Sequence, residues 1–233
     1  MERGAFKLLN QMERSWWYRG RIAAVRAALF RSDILQATEV LDYGAGFGGM
    51  SGTLSTFSNS IDAYEPDGEA RVALAARGYR HVFVSDTEAL AHHYDLIGLF
   101  DVVEHIEHDG AFLKAAHDAL KEGGVLAITV PAFPFLWSAH DVSHRHFRRY
   151  TKASMRALLE SFGYKVEYIS YWNMLLFLPA AVMRLFGRTG ESALGLPRWI
   201  DTLFFAVVKL ESLVMRHMPL PFGTGLVVVA RKR

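Results

Sequence analysis

The sequence predicts an α/β fold built on a mostly parallel sheet of seven strands, and three observations carry that prediction. Short apolar runs rich in β-branched residues alternate with helical patterns from residue 39 onward, the signature of strand–helix–strand units with right-handed crossovers. The first run, "EVLDY", opens straight into the glycine-rich turn "GAGFGG". The chain closes on one more strand-like run, "TGLVVVARK", after a long helical insertion.

The elements follow in order. Residues 1–35 alternate charged and apolar side chains, including "SWWYRGR". They read as an N-terminal helical lid without the continuous apolar stretch of a signal peptide. Strands are predicted at 39–43, 60–64, 81–85, 95–100 and 125–130, where the runs are apolar enough to be buried on both faces. Helices are predicted between them at 49–57, 68–77 and 111–121, the last stopped by Glu122-Gly123-Gly124. After the loop "PAFPFLWSAHDVSHRHFRRYT" come a helix at 152–162, with Thr151 as its N-cap, and a strand at 165–172. Residues 173–223 hold two apolar helical patterns broken at Gly187–Gly195 and Pro219–Gly223, and residues 224–232 form the closing strand. The expected organisation is one domain over 1–233: a lid (1–35), a core (36–172), a helical cap insertion (173–223) and the closing strand (224–233).

Composition narrows the chemistry. Hydrophobic residues make up 51% and charged residues 21% of the 233 positions, as in a folded globular protein. The absence of cysteine removes disulfides, thiolate metal sites and a thiol nucleophile, and is compatible with a reducing cytoplasm. Charge is uneven. Residues 1–150 carry 15 Lys and Arg against 19 Asp and Glu, whereas residues 151–233 carry 11 against 5. The basic part is also the most apolar, which suits an anionic or lipidic partner as well as a core-facing helix pair with solvated basic edges.

The glycine turn admits two ligands. Gly44, Gly46 and Gly49 satisfy the dinucleotide pattern G-x-G-x-x-G. Asp42, Gly44, Gly46 and Gly48 satisfy D-x-G-x-G-x-G. Glu65, at the end of the second strand, suits the ribose hydroxyls of either ligand. Asp42 separates the two, because a buried carboxylate beside the turn opposes a pyrophosphate at the adjoining helix N-terminus. It favours S-adenosylmethionine, which has no phosphate and carries an ammonium and a sulfonium.

"VLDYGAGFGG", the acid in "IDAYEPD", Asp86 after strand three, "LFDVVEHI" at strand four and "LKEGGVLAITVP" into strand five resemble the motif series of class I S-adenosylmethionine-dependent methyltransferases. More narrowly, together with "SWWYRGR", "HDVSHRHFRRYTKASMRALLESFGY" and "LPFGTGLVVVARK", they resemble the ubiquinone/menaquinone-type methyltransferase group, over nearly the whole chain. The resemblance implies a Rossmann-like three-layer α/β/α sandwich with an antiparallel last strand and a helical insertion between strands six and seven. It implies that Gly44, Ala45, Gly46 and Gly48 line the methionine end of the cofactor, that Glu65 holds the ribose, and that Pro66 and Asp67 meet the adenine edge. Asp86 would face the adenine amino group, and Phe100 and Asp101 would close the pocket. Tyr18 and Arg21 would belong to the lid, with Arg21 facing the cofactor carboxylate, and S-adenosylhomocysteine would be the product.

Methyl transfer requires an aligned acceptor, exclusion of water and, for a hydroxyl or amine, removal of a proton. Two loops at the ligand-binding edge of the sheet offer groups for this. His105 follows strand four and is the leading base candidate, with His140 and His146 after strand five as alternatives. His144, Arg149 and Tyr150 are assigned to the acceptor, arginine being suited to a carboxylate or phosphate on it. Asp101, Glu104 and His105 with a histidine of the second loop have the composition of an oxygen/nitrogen metal site, but the spacing is loose and no metal is assigned.

The expected activity is O-methylation of a small-molecule or lipid/glycan-linked acceptor. An NAD-dependent oxidoreductase and a non-catalytic scaffold that binds S-adenosylmethionine are the rivals. Strand four ends in "DVVEH", not in an Asn/Asp-Pro-Pro-aromatic motif, and there is no basic stripe, so nucleic acid is not an expected partner. The expected location is cytoplasmic. Residues 173–218 supply a surface for peripheral contact with the inner membrane or for a homodimer.

Overall fold

The computed structural model describes residues 14–32, 34, 37–185 and 196–233. Residues 1–13 of the expected lid, and the whole Gly187–Gly195 break within the cap, lie outside the described residues. Seven strands form one sheet in the order β3-β2-β1-β4-β5-β7-β6: β1 Val40–Tyr43, β2 Ile61–Tyr64, β3 Val82–Phe83, β4 Tyr94–Phe100, β5 Leu120–Pro131, β6 Tyr164–Trp172 and β7 Gly225–Lys232. Strands β1 to β5 pair in parallel, and β7 runs antiparallel to both β5 and β6, so β6 keeps the common direction.

Side chains alternate between two apolar layers. Along β5, Val125 and Ala127 join Val40, Leu96, Val227 and Val229 on one face. Leu126, Ile128 and Val130 join Leu41, Ile97, Leu99 and Val228 on the other. Burial on both faces is why these strands read as continuous apolar runs and not as alternating ones. Helices α1 (Trp16–Phe30) and α9 (Arg198–Met215) cover the first face through Ala24, Ala28, Val208 and Met215. Helices α5 (Asp109–Ala119) and α7 (Lys152–Ser161) cover the second through Leu113, Ala116, Met155 and Leu159. Short helices α2 (Ser51–Leu54), α3 (Gly68–Leu74), α4 (Asp86–Ala89) and α6 (Ala139–Ser143), with α8 (Phe177–Leu185), complete the order.

Three elements differ from expectation. Helices predicted at 49–57 and 68–77 shorten to α2 and α3. The glycines after α5 do not stop a helix. Leu120, fully buried, already belongs to β5, and the pairing slips between Tyr94↔Leu120 and Leu96↔Val125, with Gly123 at φ 74°. A β-bulge therefore takes the place of the helix stop. Thr151 does cap α7, its side chain accepting from Ser154 N.

The insertion was expected to hang over the ligand edge as a pair of helices. Among the described residues its two ends border that edge, where Phe177 packs edge-on against Phe133, 5.9 Å between ring centres, and Phe222 packs edge-on against Phe177 at 5.5 Å. Helix α9 instead lies on α1 and completes a layer of the sandwich. Asp201 accepts from Trp16 N at 2.7 Å and pairs with Arg19, and Phe204 meets Trp16 edge-on. The helices approach so closely at Gly20 that a Cβ there would stand 2.7 Å from Val208 Cγ1. At the other end Glu211, buried, accepts from Met174 N and Leu175 N and pins the start of the insertion. The insertion thus braces the helix that carries Tyr18 and Arg21. Among the described residues no helix is long and apolar enough to cross a membrane.

Candidate active site at the carboxyl edge of the sheet

A cavity of about 280 Å³ opens where β1 and β4 end. Its walls are Tyr18 and Arg21 from α1, Asp42, Gly44, Ala45, Gly46, Phe47, Gly49 and Met50 from the glycine loop, and Phe100 and Asp101 from β4. Gly44, Gly46 and Gly48 have φ of 70°, 54° and 81°, a left-handed path that glycine adopts without strain. At Gly46 a Cβ would meet nothing within 4 Å, so the loop presents bare backbone to open space. At Gly49 a Cβ would overlap the Tyr18 hydroxyl, which lies against the loop.

Asp42 is 2% exposed and accepts from the Tyr79 hydroxyl at 2.6 Å. Burial pushes its carboxyl up to about 6, against the opposing pull of the Tyr79 hydrogen bond and the Arg21 charge. Arg21 is ion-paired with Asp101 and lies over the Tyr18 ring, 4.5 Å from its centre. The other oxygen of Asp101 accepts from Thr129 Oγ1 at 2.8 Å. Asp101 holds φ 58°, an uncommon backbone region for a residue other than glycine and one that recurs at functional sites. Arg21, expected to face a cofactor carboxylate, is thus committed to Asp101 at the cavity wall.

Glu65 is buried and spans the loop and the next turn, with Oε2 accepting from Gly46 N at 2.7 Å and Oε1 from Asp67 N at 2.9 Å. Pro66 and Asp67 are exposed at the end of β2, and Asp67 caps α3 by accepting from Ala70 N. Asp86 is exposed at the start of α4, just past β3. These residues follow the same sheet edge but do not line the cavity.

The two histidine loops come together. Phe147 N donates to Glu104 O at 2.7 Å, joining the turn Val103–His105 to the segment after α6. The rings of His105 and His146 meet edge-on at 4.6 Å, His140 lies 6.3 Å from His146, and His144 packs on His140 at 4.0 Å. Burial, then the neighbouring His146, lowers the pKa of His105 and so favours the neutral ring. Glu104 is 1% exposed, and burial followed by the Asp101 charge pushes its carboxyl well above the usual range.

Arg149 and Tyr150 were expected at the acceptor, and both side chains turn inward. Arg149 grips Asp141 with Nε and Nη2 at 2.8 and 2.9 Å and donates from Nη1 to Ala132 O. The Tyr150 hydroxyl donates to Asp109 at 2.8 Å. The physical reason is Asp141. It is fully buried, caps α6 with Ser138 and accepts from His146 Nδ1 at 2.9 Å, so its charge requires a buried cation beside it. Asp141 and Tyr79 are the site residues that the sequence left without a role, and Glu104 was weighed there only as a component of a metal site. Asp141 and Glu104 sit beside histidines in the two loops, whereas Tyr79 carried no local signal.

The profile of a methyltransferase-domain family matches residues 15–169. The chain belongs to this methyltransferase family. The matched segment runs from the cap of α1 into β6 and takes in both the cavity and the histidine cluster. No curated protein matches the chain. Among solved structures, the methyltransferase is similar in fold to an S-adenosylmethionine-dependent methyltransferase from Archaeoglobus fulgidus (TM-score 0.57, 16% identity, covering 85% of this chain and 88% of that one). It is also similar to one from Mesorhizobium loti (TM-score 0.57, 15% identity, 90% and 96%). A third is the N-methyltransferase NodS from Bradyrhizobium japonicum, in complex with S-adenosylhomocysteine (TM-score 0.55, 14% identity, 92% and 87%).

Proposed function

We propose that this methyltransferase moves a methyl group from S-adenosylmethionine to an oxygen of a small-molecule or lipid/glycan-linked acceptor, within the ubiquinone/menaquinone-type group and as one domain. The observation that carries the donor assignment is Asp42. A buried carboxylate beside an open left-handed glycine loop suits an ammonium and opposes a pyrophosphate. Gly44, Ala45, Gly46 and Gly48 would cradle the amino-acid end and Asp42 would face its ammonium. Glu65 would turn from the loop amides to the ribose, with Pro66, Asp67 and Asp86 along the adenine side. Phe100 and Asp101 close the wall, and Tyr18 and Arg21 cover the loop as a lid. The donor supplies an already activated sulfonium methyl, so the protein's tasks are alignment, exclusion of water and handling of one proton. The cluster of His105, His140 and His146 receives that proton, with His144 at the acceptor's edge. Arg149 and Tyr150 act from behind as positioning residues, through Asp141 and Asp109.

The lipid-linked acceptor is supported by α9. Its carboxylates face inward, Asp201 paired with Arg19 and Glu211 accepting from the Met174 and Leu175 amides. Its exposed side presents Trp199, Leu203, Leu210 and Leu213 with Lys209, a composition suited to the surface of an anionic membrane. The protein would then be cytoplasmic and peripheral on the inner membrane. Flotation with anionic and neutral vesicles separates this from a homodimer, which would appear as a doubled mass in solution without lipid.

Isothermal titration with S-adenosylhomocysteine and with NAD tests the donor. Saturable binding of the first and none of the second supports the reading, and the reverse overturns it. If the donor binds but no methyl reaches any lipid, glycan or quinone-precursor extract, the protein is a binding scaffold.

A further inference from the structure

Next to the cavity, Glu104, His105 and His146 each offer one ligand atom, and these atoms lie within 4.8 Å of one another. Three features of the cluster point to a bound ligand. Oε2 of Glu104 is buried and has no hydrogen-bond partner, whereas buried polar atoms are almost always satisfied. His146 is oriented from behind, since its Nδ1 engages Asp141 and leaves Nε2 as the free ring nitrogen. Metal-bound imidazoles are held in this way by a carboxylate on the second nitrogen. The support is rigid, because Asp141 is locked by Arg149 and by the cap of α6. His105 packs edge-on against His146, 4.6 Å between ring centres. Asp101 does not belong to the set, because Arg21 and Thr129 occupy its two oxygens.

We propose that Glu104, His105 and His146 bind one divalent cation of the zinc type, on a carboxylate and two imidazoles with further positions open to solvent or acceptor. Two nitrogen ligands and one oxygen favour zinc over magnesium, which prefers an all-oxygen shell. The catalytic consequence rests on the methyl-transfer reading above. An acceptor hydroxyl bound to the cation is acidified and loses its proton to water. The O–CH3 bond then forms as the S–CH3 bond breaks. In that state His105 and His146 are ligands, so the proton that the histidine cluster receives without a cation goes to water instead.

Protein stripped with a chelator is titrated with Zn²⁺ by calorimetry, and bound metal is counted by mass spectrometry. One zinc per chain is expected in the wild type. Glu104→Gln and His146→Ala should each weaken binding by roughly 100-fold, and Asp141→Asn, which removes the charge behind His146 and also unpairs Arg149, by about 10- to 100-fold. His92→Ala, outside the cluster, should bind as the wild type does. Binding of S-adenosylhomocysteine by each variant reports that it is folded and reads the donor assignment separately from the cation. No zinc uptake overturns the proposal, as does equal uptake by Glu104→Gln. Uptake lost in a His140→Ala/His144→Ala double variant but kept in Glu104→Gln overturns it too, by placing the metal on the stacked pair His140 and His144. Tighter binding of Mg²⁺ than of Zn²⁺ overturns the zinc-type assignment.

Discussion

Asp42→Asn should make the protein more stable and a poorer binder of S-adenosylhomocysteine. Asparagine keeps the oxygen that accepts from Tyr79 and removes only the charge. Burial raises the Asp42 carboxyl from 3.8 to about 6. A folded pKa above the unfolded one means that stability is highest below the unfolded value and falls as pH rises through the folded value. Above pH 6 the full shift of about two units applies, so the ionised carboxylate costs about 3 kcal/mol. At pH 5 roughly half of that cost remains. Asp42→Asn should therefore raise Tm by several degrees at pH 8 and by about half as much at pH 5. The same change removes a charged partner from the ligand ammonium, a loss of about 1.5–3 kcal/mol or roughly 10- to 100-fold in Kd. Differential scanning fluorimetry at the two pH values and calorimetry with S-adenosylhomocysteine read both effects. A variant that is no more stable at pH 8 and binds with unchanged affinity would refute the reasoning.

The other predictions follow from single contacts. Gly46→Ala fits sterically but must hold φ 54°, so it should cost about 1–2 kcal/mol in urea unfolding and weaken S-adenosylhomocysteine binding at least tenfold by placing a methyl in the cradle. Asp141→Asn leaves Arg149 buried without its partner and should cost about 3–5 kcal/mol. In the wild type, His146 and Arg149 hold the Asp141 carboxyl below its ordinary range. That contribution is present above pH 4 and is lost as pH falls, which acid titration of stability should show and Asp141→Asn should abolish. Gly20→Ala drives a methyl to 2.7 Å from Val208 and should cost about 1–3 kcal/mol, with protease cleavage near α9 appearing before global unfolding.

The core was legible because its signal is local. Strands buried on both faces announce themselves as apolar runs, and a positive-φ loop announces itself by glycine, so all seven strands and the glycine turn were legible, although β5 begins at Leu120, inside the predicted helix, and β3 shortens to Val82–Phe83. What was not legible depends on partners far along the chain. The hydroxyl on Asp42 comes from Tyr79, 37 residues later, and the acid that turns Arg149 inward lies eight residues before it in a loop with no periodicity. Tyr150 reads as a polar pocket residue until Asp109, 41 residues away, is seen to accept from it. The cap helix was misplaced for the same reason. Nothing in its sequence tells that Asp201 meets the first turn of α1, more than 180 residues earlier.

A crystal structure of the complex with S-adenosylhomocysteine tests the central claim most directly. Its amino group is expected on the Asp42 side of the glycine loop, its ribose hydroxyls on Glu65, and its sulfur facing the cluster of His105 and His146. A ligand bound elsewhere, or one whose amino group points away from Asp42, would contradict it.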